Sequence, residues 1–145
     1  MTATKWIACT ALLCALAGAA RAEEFVIVTS TANGQAGMTK SDLQGLLKGD
    51  TKSWPGGELV EIVLQQTGAP ENKWLAEAAF GVTEAMLLTR LGQEVFKGEL
   101  RQPKVVDSPA ACLAEVKKSK RAFCAVPASA ATPAPAGVSV FSVKG

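Results

Sequence analysis

A glycine-led turn at Thr67-Gly68 is the part of the sequence best placed to bind a ligand, because it opens a helix that Gly81 ends. Pro70 fits the first helical position, where a backbone N–H is not needed. The N–H groups of Gly68 and Ala69 then lie at a helix N-terminus, where the helix dipole also favours an anion. The pattern predicts a small-anion site made of backbone. The simpler alternative is that Gly68 and Pro70 only start the helix.

The residues needed for catalysis are missing from the rest of the chain. The sequence has no histidine for general base work at neutral pH. Its serines and threonines lack an activating neighbour, and no paired carboxylates stand at helical spacing on a segment expected to face a cleft. No glycine-rich nucleotide loop occurs. We therefore predict a binding protein rather than an enzyme, with no cofactor and no metal site.

The first 22 residues have the composition of a secretory signal peptide. Lys5 supplies the positive charge, an apolar run covers residues 6–20, and Ala20-Arg21-Ala22 forms a small-x-small cleavage site. The run is short for a membrane-spanning helix. We predict cleavage after Ala22 and one domain at 23–145; the alternative is an uncleaved membrane anchor.

The charge of the exported chain is balanced. Removal of 22 residues from 145 leaves 123, and removal of Lys5 and Arg21 leaves 13 basic and 13 acidic side chains. A net charge of zero gives no long-range attraction to nucleic acid or to an anionic membrane. The densest basic cluster, at residues 117–121, lies at the end of a predicted helix, where cations offset the helix dipole.

Two cysteines remain after export, Cys112 and Cys124. An even pair in an exported chain favours a structural disulfide. Their spacing is not that of a thioredoxin-like redox motif, and two cysteines without histidine are too few ligands for zinc. The alternative is a pair of buried free thiols.

Strand and helix signals alternate along the chain. Apolar, β-branched runs predict strands at 25–28, 60–64, 104–106, 122–126 and 138–143. Capping residues and helical spacing predict helices that begin after Thr39, Ala69, Thr83 and either Asp107 or Ser108. This order predicts an α/β fold with a mainly parallel sheet flanked by helices. Ligands bind such sheets beyond the carboxyl ends of the strands, which here selects three loops: 30–39, 65–70 and 107–108.

Several short stretches, taken in order, carry a family resemblance. They are Leu46-Leu47-Lys48-Gly49 with Trp54-Pro55-x-Gly57, Gly68-x-Pro70 with Gly81, Val95-Phe96-x-Gly98 with Pro103, and Ala122-Phe123-x-x-Val126-Pro127-Ala128-Ser129 followed by Gly137-Val138-x-Val140. Their order and spacing extend across nearly the whole exported chain. In these features the sequence resembles the PstS-like substrate-binding proteins of phosphate ABC transporters, specifically their short, single-lobe members.

The resemblance implies one lobe of a type II periplasmic-binding-protein fold, located in the periplasm. It implies phosphate or another small oxyanion as ligand and a membrane transporter as partner. The implied ligand-binding residues are those of the glycine-led turn, joined by the end of the first strand: Gln66, Thr67, Gly68, Ala69, Ser30 and Thr31.

Two positions differ from the pattern of that family. Family members have Ser after the glycine and Arg three residues later, where this chain has Ala69 and Asn72. A hydroxyl donor and a guanidinium that would grip two oxygens are therefore missing, and Glu71 adds a negative charge. Two functions follow: oxyanion binding linked to ABC transport, or a non-enzymatic periplasmic interaction protein that keeps the lobe and has lost the ligand. In the second, Trp54 or the loop at 30–37 would contact the partner.

Overall fold

A computed structural model describes residues 24–143 of the chain. The predicted signal peptide and its cleavage after Ala22 lie outside these residues. Five strands and four α-helices follow one another as β1 (Phe25–Ser30), α1 (Lys40–Lys48), β2 (Glu61–Gln65), α2 (Pro70–Phe80), α3 (Glu84–Phe96), β3 (Lys104–Val106), α4 (Pro109–Lys118), β4 (Ala122–Pro127) and β5 (Val138–Phe141). None of the helices in this part of the chain is both long and apolar enough to cross a bilayer.

The five strands form one mixed sheet in the order β3-β2-β4-β1-β5. Strand β2 runs parallel to both of its neighbours, β3 and β4. Strand β1 instead runs antiparallel to both β4 and β5. The predicted α/β class is confirmed, and the parallel pairing covers the β3-β2-β4 half of the sheet. An apolar strand buried on both faces has the same pattern in either direction, so the sequence did not reveal the direction of β1.

Helices cover both faces of the sheet. Leu43 of α1, Leu75 of α2 and Leu87 of α3 lie in one buried apolar cluster, together with alternate residues of the strands. Cys112 and Val116 of α4 lie in the other. The successive residues of β2 alternate between these clusters, as the two-residue repeat of a strand requires.

The predicted starts of the helices are confirmed. Thr39 and Asp42 form a reciprocal capping box at the start of α1. Thr83 caps α3, and Ser108, rather than Asp107, caps α4. These local signals fix where each helix begins, and therefore where each connecting loop meets the sheet.

Trp54 packs the Trp-Pro-Gly-Gly turn onto the core. Its side chain is buried, and its Nε1–H donates to the Arg121 carbonyl oxygen at 2.8 Å. Its ring meets Phe123 edge-on, with centroids 5.9 Å apart. Burial leaves Trp54 unavailable to a partner protein.

Gly49 gives a direct test of the packing at the end of α1. Its φ is +80°, and a Cβ at this position would lie 2.6 Å from the Glu99 carbonyl oxygen. We therefore expect Gly49→Ala to lower the free energy of unfolding by about 2 kcal/mol in urea titrations. Gly92→Ala is the matched control, because Gly92 lies inside α3 with nothing within 4 Å of the methyl group that alanine would add. It should be neutral or stabilising by up to about 1 kcal/mol; equal losses in both variants would contradict the steric argument.

Candidate functional site

The chain changes sheet faces between neighbouring strands β2 and β3. Strand β2 leads into α2 on one face, whereas β3 leads into α4 on the other. By the general rule for α/β proteins, adjacent parallel strands whose following helices lie on opposite faces are where ligands bind, in a crevice beyond the carboxyl ends of the strands. Two of the three predicted loops, 65–70 and 107–108, border this crevice. We call it the β2/β3 crevice.

The third predicted loop, which begins at Ser30, lies at the opposite end of the strands. Extending the strand registers places Ser30 level with Ala122, and Gln65 level with Val126. The ends of β1 and β2 are thus about 13 Å apart along the strand direction, at roughly 3.3 Å per residue. The prediction that Ser30 and Thr31 face the same site as Gln66–Ala69 is wrong, because β1 runs antiparallel to the strands of the crevice.

Ser30 and Thr31 have local structural roles instead. The Ser30 Oγ accepts a hydrogen bond from the Ala32 N–H at 3.2 Å and so caps a short 3-10 helix. The Thr31 N–H donates to the Gly137 carbonyl oxygen at 3.0 Å and holds this turn against the start of β5. Both residues stabilise the end of the sheet that lies opposite the β2/β3 crevice.

Asn72 holds the loop between β2 and α2 in place. Its Nδ2 donates to the carbonyl oxygens of Gln65 at 2.9 Å and Gln66 at 3.1 Å, and its Oδ1 accepts from the Gln65 N–H at 3.2 Å. The side chain is 2% exposed. The position at which the family resemblance implies an arginine therefore carries a neutral amide that faces its own backbone.

The two predicted backbone donors both have partners inside the protein. The Ala69 N–H donates to the Gln66 carbonyl oxygen at 3.0 Å, within the turn. Gly68, with a φ of +93° that favours glycine, points its N–H at the carboxylate of Glu84. The nitrogen lies 2.9 Å from Oε1 and 3.1 Å from Oε2 of that side chain. An internal carboxylate thus binds where an anionic ligand is predicted.

Other donors remain at the crevice. Within the described chain the Glu71 N–H, in the first turn of α2, makes no hydrogen bond, as is usual for the first turn of a helix. Gln66 and Thr67 are exposed at the surface of the loop. The predicted turn residues 66–69 therefore lie together at one edge of the crevice.

Gln65 is a further candidate residue: the sequence analysis includes it in the loop 65–70 but does not name it among the ligand-binding residues. It is 5% exposed, and its Nε2 has no hydrogen-bond partner among the residues described. Gln65 pairs with Val106 in the β2–β3 ladder, so it lies at the mouth of the crevice. A polar residue at the end of an otherwise apolar strand was the available signal, because a buried amide needs a partner.

The side of the crevice formed by the β2–α2 loop is acidic. The loop segment 65–72 contains no lysine or arginine; Glu71 lies within it, and the Glu84 carboxylate accepts a hydrogen bond from its Gly68 N–H. Elsewhere, a hydrogen bond between Lys104 and Glu115 lowers the pKa of Glu115 and raises that of Lys104. That pair, in which the Glu115 side chain is only 17% exposed, joins β3 to α4 and does not neutralise the loop. Across residues 24–143, no cluster of three or more His, Cys, Asp or Glu side chains has the arrangement to hold a metal ion.

Comparisons with known proteins give one kind of match. No protein-family model and no curated protein sequence match the chain. Solved structures do match. PstS from Borrelia burgdorferi has a TM-score of 0.61 at 14% identity, over 83% of this chain and 47% of that one. An ABC-type phosphate transport receptor from Vibrio cholerae has a TM-score of 0.54 at 16% identity, over 83% and 46%. A possible phosphate binding protein from Planctomyces limnophilus has a TM-score of 0.60 at 15% identity, over 84% and 42%.

These matches establish the fold of the chain. It has the α/β architecture of phosphate-binding proteins and spans less than half of their length, which is consistent with one lobe of a periplasmic-binding-protein fold. At 14–16% identity the similarity does not extend to the ligand or to the transporter.

Proposed function

We propose that this protein is an exported, single-lobe solute-binding protein of the periplasm that binds a small oxyanion weakly at the β2/β3 crevice, in association with ABC transport. The observation that carries the proposal is the Glu84 carboxylate bound to the Gly68 N–H. The Gly68 N–H thus already donates to the anionic oxygens of a carboxylate that belongs to the protein itself. One matching structure is named as a phosphate transport receptor and another as a possible phosphate binding protein, which supports an oxyanion as the ligand class.

We expect weak affinity because of the side chains at and after the Gly68 turn. Each charge-assisted hydrogen bond contributes roughly 1.5–3 kcal/mol, and Ala69 and Asn72 provide neither the hydroxyl nor the guanidinium that the family resemblance implies. The turn is also exposed to water. Solvent then competes for each donor, so we expect dissociation constants in the millimolar range, about 4 kcal/mol of binding free energy.

Calorimetric titration of the exported protein with phosphate and sulfate tests the proposal, with Ala69→Ser as the informative variant. The new hydroxyl would sit at the N-cap of α2, beside the Gly68 N–H, and one added hydrogen bond should tighten phosphate binding about three- to tenfold. Because a serine N-cap also stabilises the helix by about 1 kcal/mol, the heat of binding is the measurement, not the melting temperature.

Ala85→Ser is the control, because Ala85 is a residue of α3 outside the turn. It should leave the phosphate affinity unchanged. The proposal fails when neither the folded wild type nor Ala69→Ser releases heat at millimolar phosphate or sulfate.

A second function, as a periplasmic interaction protein without a ligand, is favoured by exposed apolar side chains. Phe96 at the end of α3 is 94% exposed, and Val105 on the edge strand β3 is 58% exposed. Val105 lies on an edge strand, whose unpaired backbone groups can bind another chain. Cross-linking in periplasmic extract would favour this function where a partner is captured by wild type, is lost in Phe96→Ser, and no oxyanion binds.

A further inference from the structure

Glu84 and Gly68 are 16 residues apart and belong to different elements, yet they make a direct contact. Glu84 is the first residue of α3, which Thr83 caps. The Gly68 nitrogen lies nearly equidistant from the two carboxylate oxygens, at 2.9 and 3.1 Å. A carboxylate therefore fits this corner with both oxygens in reach of one donor.

We infer that Glu84 is the residue that sets the charge selectivity of the β2/β3 crevice, in favour of monoanions such as carboxylates and against phosphate dianion. The inference rests on the proposed function, since it describes how that same site selects its ligand. A ligand that binds the Gly68 N–H displaces the Glu84 carboxylate from it. The displaced carboxylate remains tethered to the start of α3, close to the bound ligand.

Repulsion between Glu84 and the ligand grows with the charge of the ligand. Coulomb energy is proportional to each charge, so a dianion is repelled about twice as strongly as a monoanion at the same distance. Segment 65–72 contains no lysine or arginine to offset this repulsion, and Lys73, the next residue, is exposed on α2. Glu71, in the first turn of α2 and 6% exposed, has the same sign of charge and adds to it. The crevice is thus suited to a planar ligand with one negative charge.

A purely structural role is the competing explanation. In that case the Glu84 carboxylate only fastens the start of α3 to the β2–α2 loop, and its charge has no influence on ligands. Glu84→Gln separates the two roles, because the amide oxygen still accepts from the Gly68 N–H while the charge is gone. Glu84→Ala removes both the acceptor and the charge.

The experiment is calorimetric titration of the exported protein with acetate and with phosphate at pH 8 and constant ionic strength, where phosphate is mainly a dianion. We expect Glu84→Gln to bind acetate about threefold more tightly and phosphate about tenfold more tightly, since doubling the repulsion energy squares the fold-change. Glu77→Gln is the matched control, because Glu77 is an exposed carboxylate on α2 whose loss alters the net charge equally. Melting curves confirm that each variant is folded.

The outcomes separate the inference from the proposed function. A larger gain for phosphate than for acetate in Glu84→Gln, and neither gain in Glu77→Gln, supports the inference. Unchanged affinities in Glu84→Gln, with a lower melting temperature in Glu84→Ala, overturn it in favour of the structural role and leave the proposed function standing. Equal gains in the two glutamine variants overturn it in favour of net charge alone. Absence of binding to every folded variant removes the proposed function and the inference with it.

Discussion

Asn72→Ala is expected to lower the free energy of unfolding by about 3 kcal/mol. The side chain is buried and makes three hydrogen bonds to the backbone of Gln65 and Gln66. Each buried group that loses its partner costs roughly 1–3 kcal/mol, partly recovered where water enters the loop. Urea titrations followed by tryptophan fluorescence measure the loss.

Lys73→Ala is the control for this variant, because Lys73 is the next residue of α2 and is exposed. Its change should stay within about 0.5 kcal/mol. A loss below about 1 kcal/mol in Asn72→Ala would show that water replaces the amide without difficulty. The loop would then owe its shape to Gly68 and Pro70 rather than to Asn72.

The role of Asn72 adds to what the family resemblance implies about this position. The absence of arginine suggests a missing ligand contact, whereas the structure gives the asparagine a task of its own within the loop. We expect from this that Asn72→Arg does not create a phosphate site. A guanidinium cannot accept the hydrogen bond from the Gln65 N–H, so the loop would be altered before any anion was bound.

Much of the fold was predictable because its signals are short in range. The capping box of Thr39 and Asp42 and the glycine ends of α1 and α2 depend on contacts within a few residues. Strand β3 was predicted with its observed bounds, Lys104–Val106, from the same kind of local pattern. Both partners of such an interaction lie within three or four positions of each other in the sequence. A single sequence is therefore enough to find them.

The site was only partly predictable because its contacts are long in range. The direction of β1 depends on how the whole sheet assembles, and it alone decides that Ser30 lies far from Gly68. The contact between Gly68 and Glu84 requires α2 and α3 to pack side by side. Nothing in the spacing of these two residues indicates that they meet. The sequence therefore identified the turn at Gly68 but not the Glu84 carboxylate that binds to it.

Loss of the Cys112–Cys124 disulfide is expected to lower the free energy of unfolding by about 3 kcal/mol and the melting temperature by about 10 °C. The predicted bond is present, joining α4 to the central strand β4 across a sequence separation of 12, with Cα atoms 6.3 Å apart. Both cysteines are buried in the cluster beneath α4. Thermal unfolding with and without reductant measures the effect.

The double variant Cys112→Ala/Cys124→Ala serves as the control, since reductant should then have no further effect on the melting temperature. Alanine is preferable to serine because a buried hydroxyl without a partner would add its own penalty.

Helix α4 also forms one side of the β2/β3 crevice, beginning directly after the loop at Asp107–Ser108. Reduction should therefore loosen the crevice as well as the core, and oxyanion binding should weaken in reduced protein. Identical melting curves with and without reductant would mean that packing of Val116 and its neighbours, rather than the covalent bond, holds α4 to the sheet.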